Sequence, residues 1–329
     1  MNLNFIRILI CLLAAPVCAN GQGLDNFLTP SDTLHPGRFW TAAGSGAVLY
    51  GVSSVGLWNT WYKDHEIGSF HFFDDSGEWK QMDKMGHLLT AYNEAKYVYQ
   101  GARWMGMKKN AAVWTGVGVG SLLQLTLETM DGFSEKWGFS WSDIGFNTLG
   151  VAAFAGQEFW WGEQRIQFKL SAMPLSTPHY YAPSLNGHAD YLLQKRADEL
   201  YGVTFLENAL KHYNQLVVWS SVNVWSFLPE RENSKFPKWL NVAVGYGAGN
   251  LYGGFRNEWE DEGALYVLDE QLFPRHRRYL LALDLDLSRI NTRSRLLNTI
   301  LDILNFVKVP SPALEINSNG SVKWHPLWW

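Results

Sequence analysis

The chain has 329 residues, a net charge of −4, 18% charged residues and 47% hydrophobic ones, with a mean hydropathy of −0.15. That balance excludes a disordered chain and a plain polytopic membrane protein, and an acidic net charge without a long basic run speaks against a nucleic-acid partner. Its 17 tryptophans and 15% aromatic residues point instead to a core, or a half-wet interface, built on rings.

The first 23 residues carry Arg7, an apolar run from Ile8 to Val17, and small residues around Ala19. This is the pattern of a secretory signal cleaved after Ala19, so 1–19 is the predicted signal peptide and the predicted destination is the cell envelope. The run is too short to span a bilayer. Cys18 offers a second reading, the acylated cysteine of a lipoprotein, with a bulky Val17 where a small residue is expected. Cys11 and Cys18 are the only cysteines. Cleavage removes both, which leaves the chemistry to His, Asp, Glu, Lys, Ser and Tyr.

Residues 20–38, with Pro30, Pro36 and Gly37, read as an extended lead-in. Residues 39–170 read as a helical bundle domain. Its first segment, from Phe39 to Tyr62, holds Gly44, Gly46, Gly51 and Gly56, small residues that let helix backbones approach closely. Further helices are expected from Gln81 to Trp104, from Ala111 to Met130 and from Asp143 to about Gln164, and short connections between them imply antiparallel packing. Residues 171–329 change character. A polar helix is expected from Ala189 to Tyr213, with strands at Leu216 to Phe227, Trp239 to Ala248 and Tyr279 to Ile290. A terminal pair from Ala313 to Trp324 turns across Asn317-Ser-Asn-Gly320, and an amphipathic helix runs from Arg293 to Val307. In the third strand Leu281, Leu283 and Leu285 alternate with Ala282, Asp284 and Asp286, the two-residue period of a half-exposed strand. The fold class is therefore α+β: an antiparallel helical bundle followed by a smaller domain with a short antiparallel sheet and amphipathic helices. The closing aromatics resemble the end of an outer-membrane barrel strand, but four or five strands make a small sheet rather than a barrel.

The bundle carries an unusual amount of ionisable chemistry. Asp83, Lys84, His87 and Glu94 share one face of the second helix, Gln124, Glu128 and Asp131 line the third, and Asp143 and Asn147 begin the fourth. Lone buried charges are too costly to be casual, so these files face one another, line a cleft or bind an ion. His87, Glu128, Asp131 and Asp143 are the candidate ligands of a divalent metal. Lys84, His87, Glu128 and Asp143 are the candidate catalytic groups of an acid–base site. Against these stands a structural network of Asp83, Glu94, Gln124 and Asn147, in which Asp143 caps a helix after Ser140, Lys84 and Glu128 form one interhelical ion pair, and His87 is a hydrogen-bonded core residue. Gly245-Tyr-Gly-Ala-Gly249 lies in a strand-like stretch and lacks the context of a nucleotide loop. No Gly-x-Ser-x-Gly elbow and no His-Glu-x-x-His occurs.

The ordered set Met82-Asp-Lys-Met-Gly-His87, Glu128-Thr-Met-Asp-Gly132, Trp137-Gly-Phe-Ser-Trp-Ser-Asp143 and Asn147-Thr-Leu-Gly150 resembles a family of unknown function that includes YfiM-type predicted periplasmic lipoproteins of Gram-negative bacteria. The resemblance covers about residues 80–165. It implies a helical core domain in the cell envelope, in the periplasm or at the outer membrane, and it implies no reaction. The expected function is that of a membrane-associated structural or assembly factor with a membrane or envelope-protein partner. The alternative is a metal-dependent or acid–base hydrolase acting on an envelope lipid or glycan.

Overall fold

The computed structural model describes residues 21–58, 67–229 and 231–328. The predicted signal peptide, Cys18 and residues 59–66, which include the expected end of the first long helix at Tyr62, lie outside the described residues. The lead-in is not wholly extended, because Gly21–Leu28 forms helix α1 and Pro36 already opens α2 (Pro36–Leu57). Proline at the first helical positions has no N–H to lose, and the His35 ring caps the Arg38 N–H. Three longer helices follow: α3 (Met82–Trp104), α4 (Lys109–Gly132) and α5 (Trp141–Trp160). α3 is central and packs against both α4 and α5.

What permits that packing is the absence of side chains at the crossings. A Cβ added to Gly150 of α5 would sit 2.4 Å from the Leu88 carbonyl oxygen, and one added to Gly116 of α4 would sit 2.5 Å from that of Ala95. Ala91, Ala95, Tyr92, Val113 and Phe154 close the space around them. The helix axes are thus drawn together by small residues rather than separated by leucines.

The fourth helix ends at Trp160, four residues before the expected end. Residues that the sequence reading assigned to the bundle domain form strand β1 (Ile166–Ala172). It opens a six-stranded antiparallel sheet in the order β1-β4-β5-β8-β9-β10, with β4 at Leu216–Asn223, β5 at Leu240–Gly249, β8 at His276–Leu285, β9 at Ser311–Asn317 and β10 at Val322–Trp328. Two small hairpins, β2 (Tyr181–Ala182) with β3 (Tyr191–Leu192) and β6 (Glu258–Asp261) with β7 (Ala264–Val267), are inserted between these strands. The polar helix expected over Ala189 to Tyr213 is two, α6 (Leu193–Tyr201) and α7 (Phe205–Lys211). Gly202 stops the first at φ +78, and Thr204 restarts the second with a capping box. The last helix, α8, spans Arg295–Leu304.

The sheet curls until its edges meet through side chains. Ser171 Oγ on β1 accepts from the indole N–H of Trp219 on β4 at 2.9 Å and from that of Trp328 on β10 at 3.1 Å. The enclosed face is polar as well as aromatic. Lys169 Nζ lies 2.8 Å from Asp284, both fully buried, and also donates to the Leu285 carbonyl and to Asn305 Oδ1. The alternation in β8 is therefore real, with Leu280, Ala282 and Asp284 inside and Leu281 and Leu283 outside. On the outer face Val244 aligns with Leu281, Leu281 with Leu314 and Leu314 with Trp324.

The crossing geometry gives a paired expectation for Gly150 and Gly118. Gly150→Ala must push α5 away from α3, with an expected cost of about 1–3 kcal/mol. Gly118, in the same bundle with nothing within 4 Å of its Cβ position, should gain about 0.5–1 kcal/mol on substitution by Ala. Urea denaturation of both variants checks this, and equal effects refute the close-approach account.

Candidate functional site

The polar files converge where α3 begins. Just before it, Trp79, Lys80 and Gln81 hold φ values of 48°, 52° and 63°, a left-handed run that costs L-residues roughly 1–2 kcal/mol each. The sheet half of the molecule restrains it. The Trp79 N–H donates to the Gly254 carbonyl at 2.9 Å, the Tyr246 hydroxyl donates to the Lys80 carbonyl, and the Arg277 guanidinium donates to Gln81 Oε1. This turn swings Asp83 and Lys84, on the first turn of α3, beneath α5.

Lys84 is the centre of the site. Its ammonium, 1% exposed, lies 2.7 Å from Asp75, 3.1 Å from Asp83 and 2.6 Å from Asp143. Asp75 also accepts from the hydroxyls of Ser140 and Ser142 at 2.5 and 2.8 Å, and Asp83 accepts from the Tyr213 hydroxyl at 3.0 Å. One turn along α3, His87 Nε2 stands 3.8 Å from Asp83 and 3.6 Å from Asp143. Its Nδ1 is 3.1 Å from Asn147 Oδ1 and 3.6 Å from Glu128 Oε1. Glu128 is fully buried. Its Oε2 accepts the Ser140 N–H at 3.3 Å, while Oε1 has no hydrogen-bond partner.

Four carboxylates thus face two cations. Burial opposes charge on Lys84, yet Asp83 and Asp143 outweigh it and hold its pKa above the ordinary range. His87 behaves alike: burial lowers it, while Asp83, Asp143 and Glu128 together raise it to about 9. Burial lifts Glu128 to about 8, with His87 pulling the other way. Burial raises Asp143 too, against His87 and Lys84. Asp75 goes down, because hydrogen bonds from Lys84 and Ser140 overcome its burial. The surplus negative charge sits on the Glu128 and Asp143 side, where both carboxylates stand 3.6 Å from the His87 ring.

The structure brings Asp83, Lys84, His87, Glu128, Asp143 and Asn147 together. It separates Glu94, which accepts from Gln124 Nε2 at 2.8 Å two turns further along α3. Asp131 does not join His87. The donor atoms that lie within 4.8 Å of one another belong to Asp83, His87 and Asp143, so of the expected metal set His87 and Asp143 are clustered, Asp83 joins them, and Glu128 and Asp131 fall outside the trio. Asp131 adds a neighbouring negative charge that helps to raise Glu128. The expected Lys84–Glu128 pair is also corrected, since Lys84 spends its three donor directions on the aspartates and Glu128 faces His87. Ser140 does cap α5, accepting from the Asp143 N–H at 3.1 Å. Asp143 itself turns to Lys84, and Glu128 takes its place on the Ser140 N–H. Asp75 and Tyr213 were missed. One lies in the loop before α3 and the other 130 residues beyond Asp83, and no helical spacing reports either.

The charges set a pH dependence. Ionising Glu128 and Asp143 inside the fold costs stability, and the cost grows as pH rises from their unfolded pKa values through their raised folded ones. His87 contributes fully below its unfolded value of 6.5 and loses its contribution as pH climbs through about 9. Both act in the same direction between pH 6.5 and 8. His212, lowered to about 4 by burial, makes most of its opposing contribution below that window, and Lys308, lowered to about 8 by burial, makes most of its own above it. Melting temperature should fall from pH 6.5 to 8, and Glu128→Gln should flatten the fall. A rise over this window contradicts the charge assignment.

Comparison with curated proteins and with solved structures finds no significant match to either. A family model does match. Asp75, Asp83, Lys84, His87, Glu128, Ser140, Asp143 and Asn147 all fall within residues 71–156, which match the family described as predicted periplasmic lipoprotein (DUF2279), a family of unknown function.

Proposed function

We propose that the protein is a non-enzymatic structural or assembly factor of the bacterial envelope, in the periplasm or at the outer membrane. In this reading it is seated on an anionic lipid surface, and its buried ion network holds the bundle in one arrangement. The observation that carries this is an inside-out distribution of polarity. Trp160 is 84% exposed, Trp40 72% and Trp324 64%, while Lys84 and Lys169 are at most 1% exposed. Exposed apolar area on this scale marks an interaction surface.

No helix among the described residues is long and apolar enough to cross a membrane, so the support is for a seat on the surface. α8 has the form of an interfacial helix. Leu296, Leu297, Ile300, Ile303 and Leu304 lie exposed along one edge, and none of its residues is buried. On its other edge Asp302 accepts from Gln100 at 2.7 Å and lies 3.7 Å from Lys96, both on α3. The helix is held through Asp302 and by packing against α1, and its apolar edge stays exposed. Arg293 and Arg295, exposed at its start, add attraction to anionic headgroups.

Flotation with vesicles tests the seat, using the Cys18→Ser chain so that no acyl group can hold the protein. Binding is expected to vesicles containing phosphatidylglycerol. A Leu297→Ser, Ile300→Ser double variant should bind at least about tenfold more weakly, because each leucine-sized side chain buried is worth about 1.5–3 kcal/mol. Failure of the unsubstituted surface to float, or equal binding by the double variant, refutes the reading.

One observation favours the alternative, a metal-dependent or acid–base hydrolase acting on an envelope lipid or glycan: the buried, unpartnered Glu128 Oε1 beside the Asp83, His87 and Asp143 donors. One imidazole with carboxylates suits a divalent cation. Lys84 competes with it, because its ammonium already occupies Asp83 Oδ2 and Asp143 Oδ1. Metal analysis of purified protein separates the two. The structural reading expects no stoichiometric metal, and a loss of about 1–4 kcal/mol of stability in His87→Ala and Glu128→Ala. Stoichiometric metal that disappears in a normally folded His87→Ala protein establishes the hydrolase-type site instead.

A further inference from the structure

Beyond the bundle, the curled sheet encloses a second polar space. At its end, between β8, β10 and the segment before β4, lies a cavity of about 260 Å³ lined by His212, His276, Arg278, Lys323 and Trp328 among others. It owes its existence to the alternating glycines of β5. A Cβ at Gly249 would fall 2.6 Å from the His276 ring, and one at Gly247 would fall 3.3 Å from Arg278 Nε and 3.0 Å from Val217. Those glycines pair across the ladder with His276 and Arg278. The Gly-x-Gly-x-Gly run is thus the wall that gives these two side chains room on the inner face.

Arg278 is the unusual group. It is 4% exposed, yet among the described residues no carboxylate lies within ion-pair distance of it. Nη2 donates to the Asn214 carbonyl at 2.8 Å, Nε has no partner, and the guanidinium stands 5.5 Å from the centre of the Trp328 ring. The nearby Glu315 is already engaged by His325 at 2.8 Å. Burial lowers Arg278 to about 10, which leaves it cationic at neutral pH, and burial keeps His212 and His276 in the neutral form. Lys323, exposed at the rim, adds a second cation. Arg278 and Lys323 against Glu315 leave the lining one positive charge in excess. A buried guanidinium without a counter-charge is costly to hold, and an anion that accepts from it offsets that cost.

We infer that this cavity binds a small phosphate monoester, its oxygens on Arg278 and Lys323 and its organic part against Trp328, Met173 and Leu175. A fork of guanidinium donors suits a phosphate. At roughly 30 Å³ for each water displaced, the volume accommodates a phosphate with a few carbons attached. The same group is presented by soluble phosphate esters and by the headgroup of phosphatidic acid.

Titration calorimetry and thermal shift on the full chain, at matched ionic strength, test this with glycerol 3-phosphate and with phosphatidic-acid vesicles against phosphatidylcholine vesicles. Saturable binding of glycerol 3-phosphate identifies a soluble ester as the ligand. Binding only to phosphatidic-acid vesicles, abolished in the Arg278 variant, identifies the lipid headgroup. Arg278→Met should keep or raise the melting temperature and lose the response. Lys323→Ser, at the exposed rim, should weaken binding at least about threefold, as loss of a rim charge does, and it serves as the deciding variant if Arg278→Met fails to fold. No saturable response to either probe, or an unchanged affinity in Lys323→Ser, overturns the assignment. The α8 double variant leaves glycerol 3-phosphate binding unchanged, so failure of the membrane seat and failure of this site are read separately.

Discussion

A single ammonium group, that of Lys84, fixes the relation between three parts of the chain. Asp75 comes from the loop before α3, Asp83 from α3 itself and Asp143 from the first turn of α5, and all three lie within 3.1 Å of Lys84 Nζ. A buried cation with three carboxylate neighbours is not the cheapest way to stabilise a bundle, since apolar residues of the same volume do as well or better. Its value lies in permitting few arrangements. Bundles joined at glycine and alanine crossings can slide, because small residues offer no interlocking knobs. A central charge that must meet Asp75, Asp83 and Asp143 at once removes the freedom to slide.

The same logic runs through the sheet. Lys169 and Asp284 are fully buried and paired, and Gln167, Asn305, Ser221 and Asn241 extend the network by side-chain hydrogen bonds. Polar groups take part of the interior beside the apolar clusters, and many apolar residues of both halves lie outward. The exposed leucines of β8 and the buried ion pairs are two aspects of one distribution. In water that distribution is unfavourable, and this is the imbalance that the proposed lipid seat would relieve.

Periodicity was the most legible part of the sequence, and direction the least. The helical files of α3, α4 and α5 could be read because residues three, four and seven apart share a face, which is why His87, Glu128, Asp143 and Asn147 were grouped correctly. The alternation in β8 could be read for the same kind of reason, but alternation does not say which file is inside. Here the sheet's own curl, closed by Ser171 and two tryptophans, decides it. Asp75 carries no pattern at all, and Glu94 shared the right face at the wrong height, two turns from the ion centre. Strand β1 was hidden because Gln167, Lys169 and Ser171 give a polar file where a core strand is expected to be apolar. Its inward residues make sense only once Asp284 and Trp328 are opposite them.

The matched segment, 71–156, is not self-sufficient in this chain. The left-handed run at Trp79 to Gln81 is held by Gly254, Tyr246 and Arg277, and one oxygen of Asp83 is held by Tyr213. All four partners belong to the sheet half. Without them the run would relax toward right-handed backbone, which costs less, and the start of α3 would turn, carrying Lys84 away from Asp75 and Asp143. The sheet half therefore does more than add a second core. It holds the strained turn that aims the central ammonium, so the ion network of the helical half is positioned by hydrogen bonds from the sheet half.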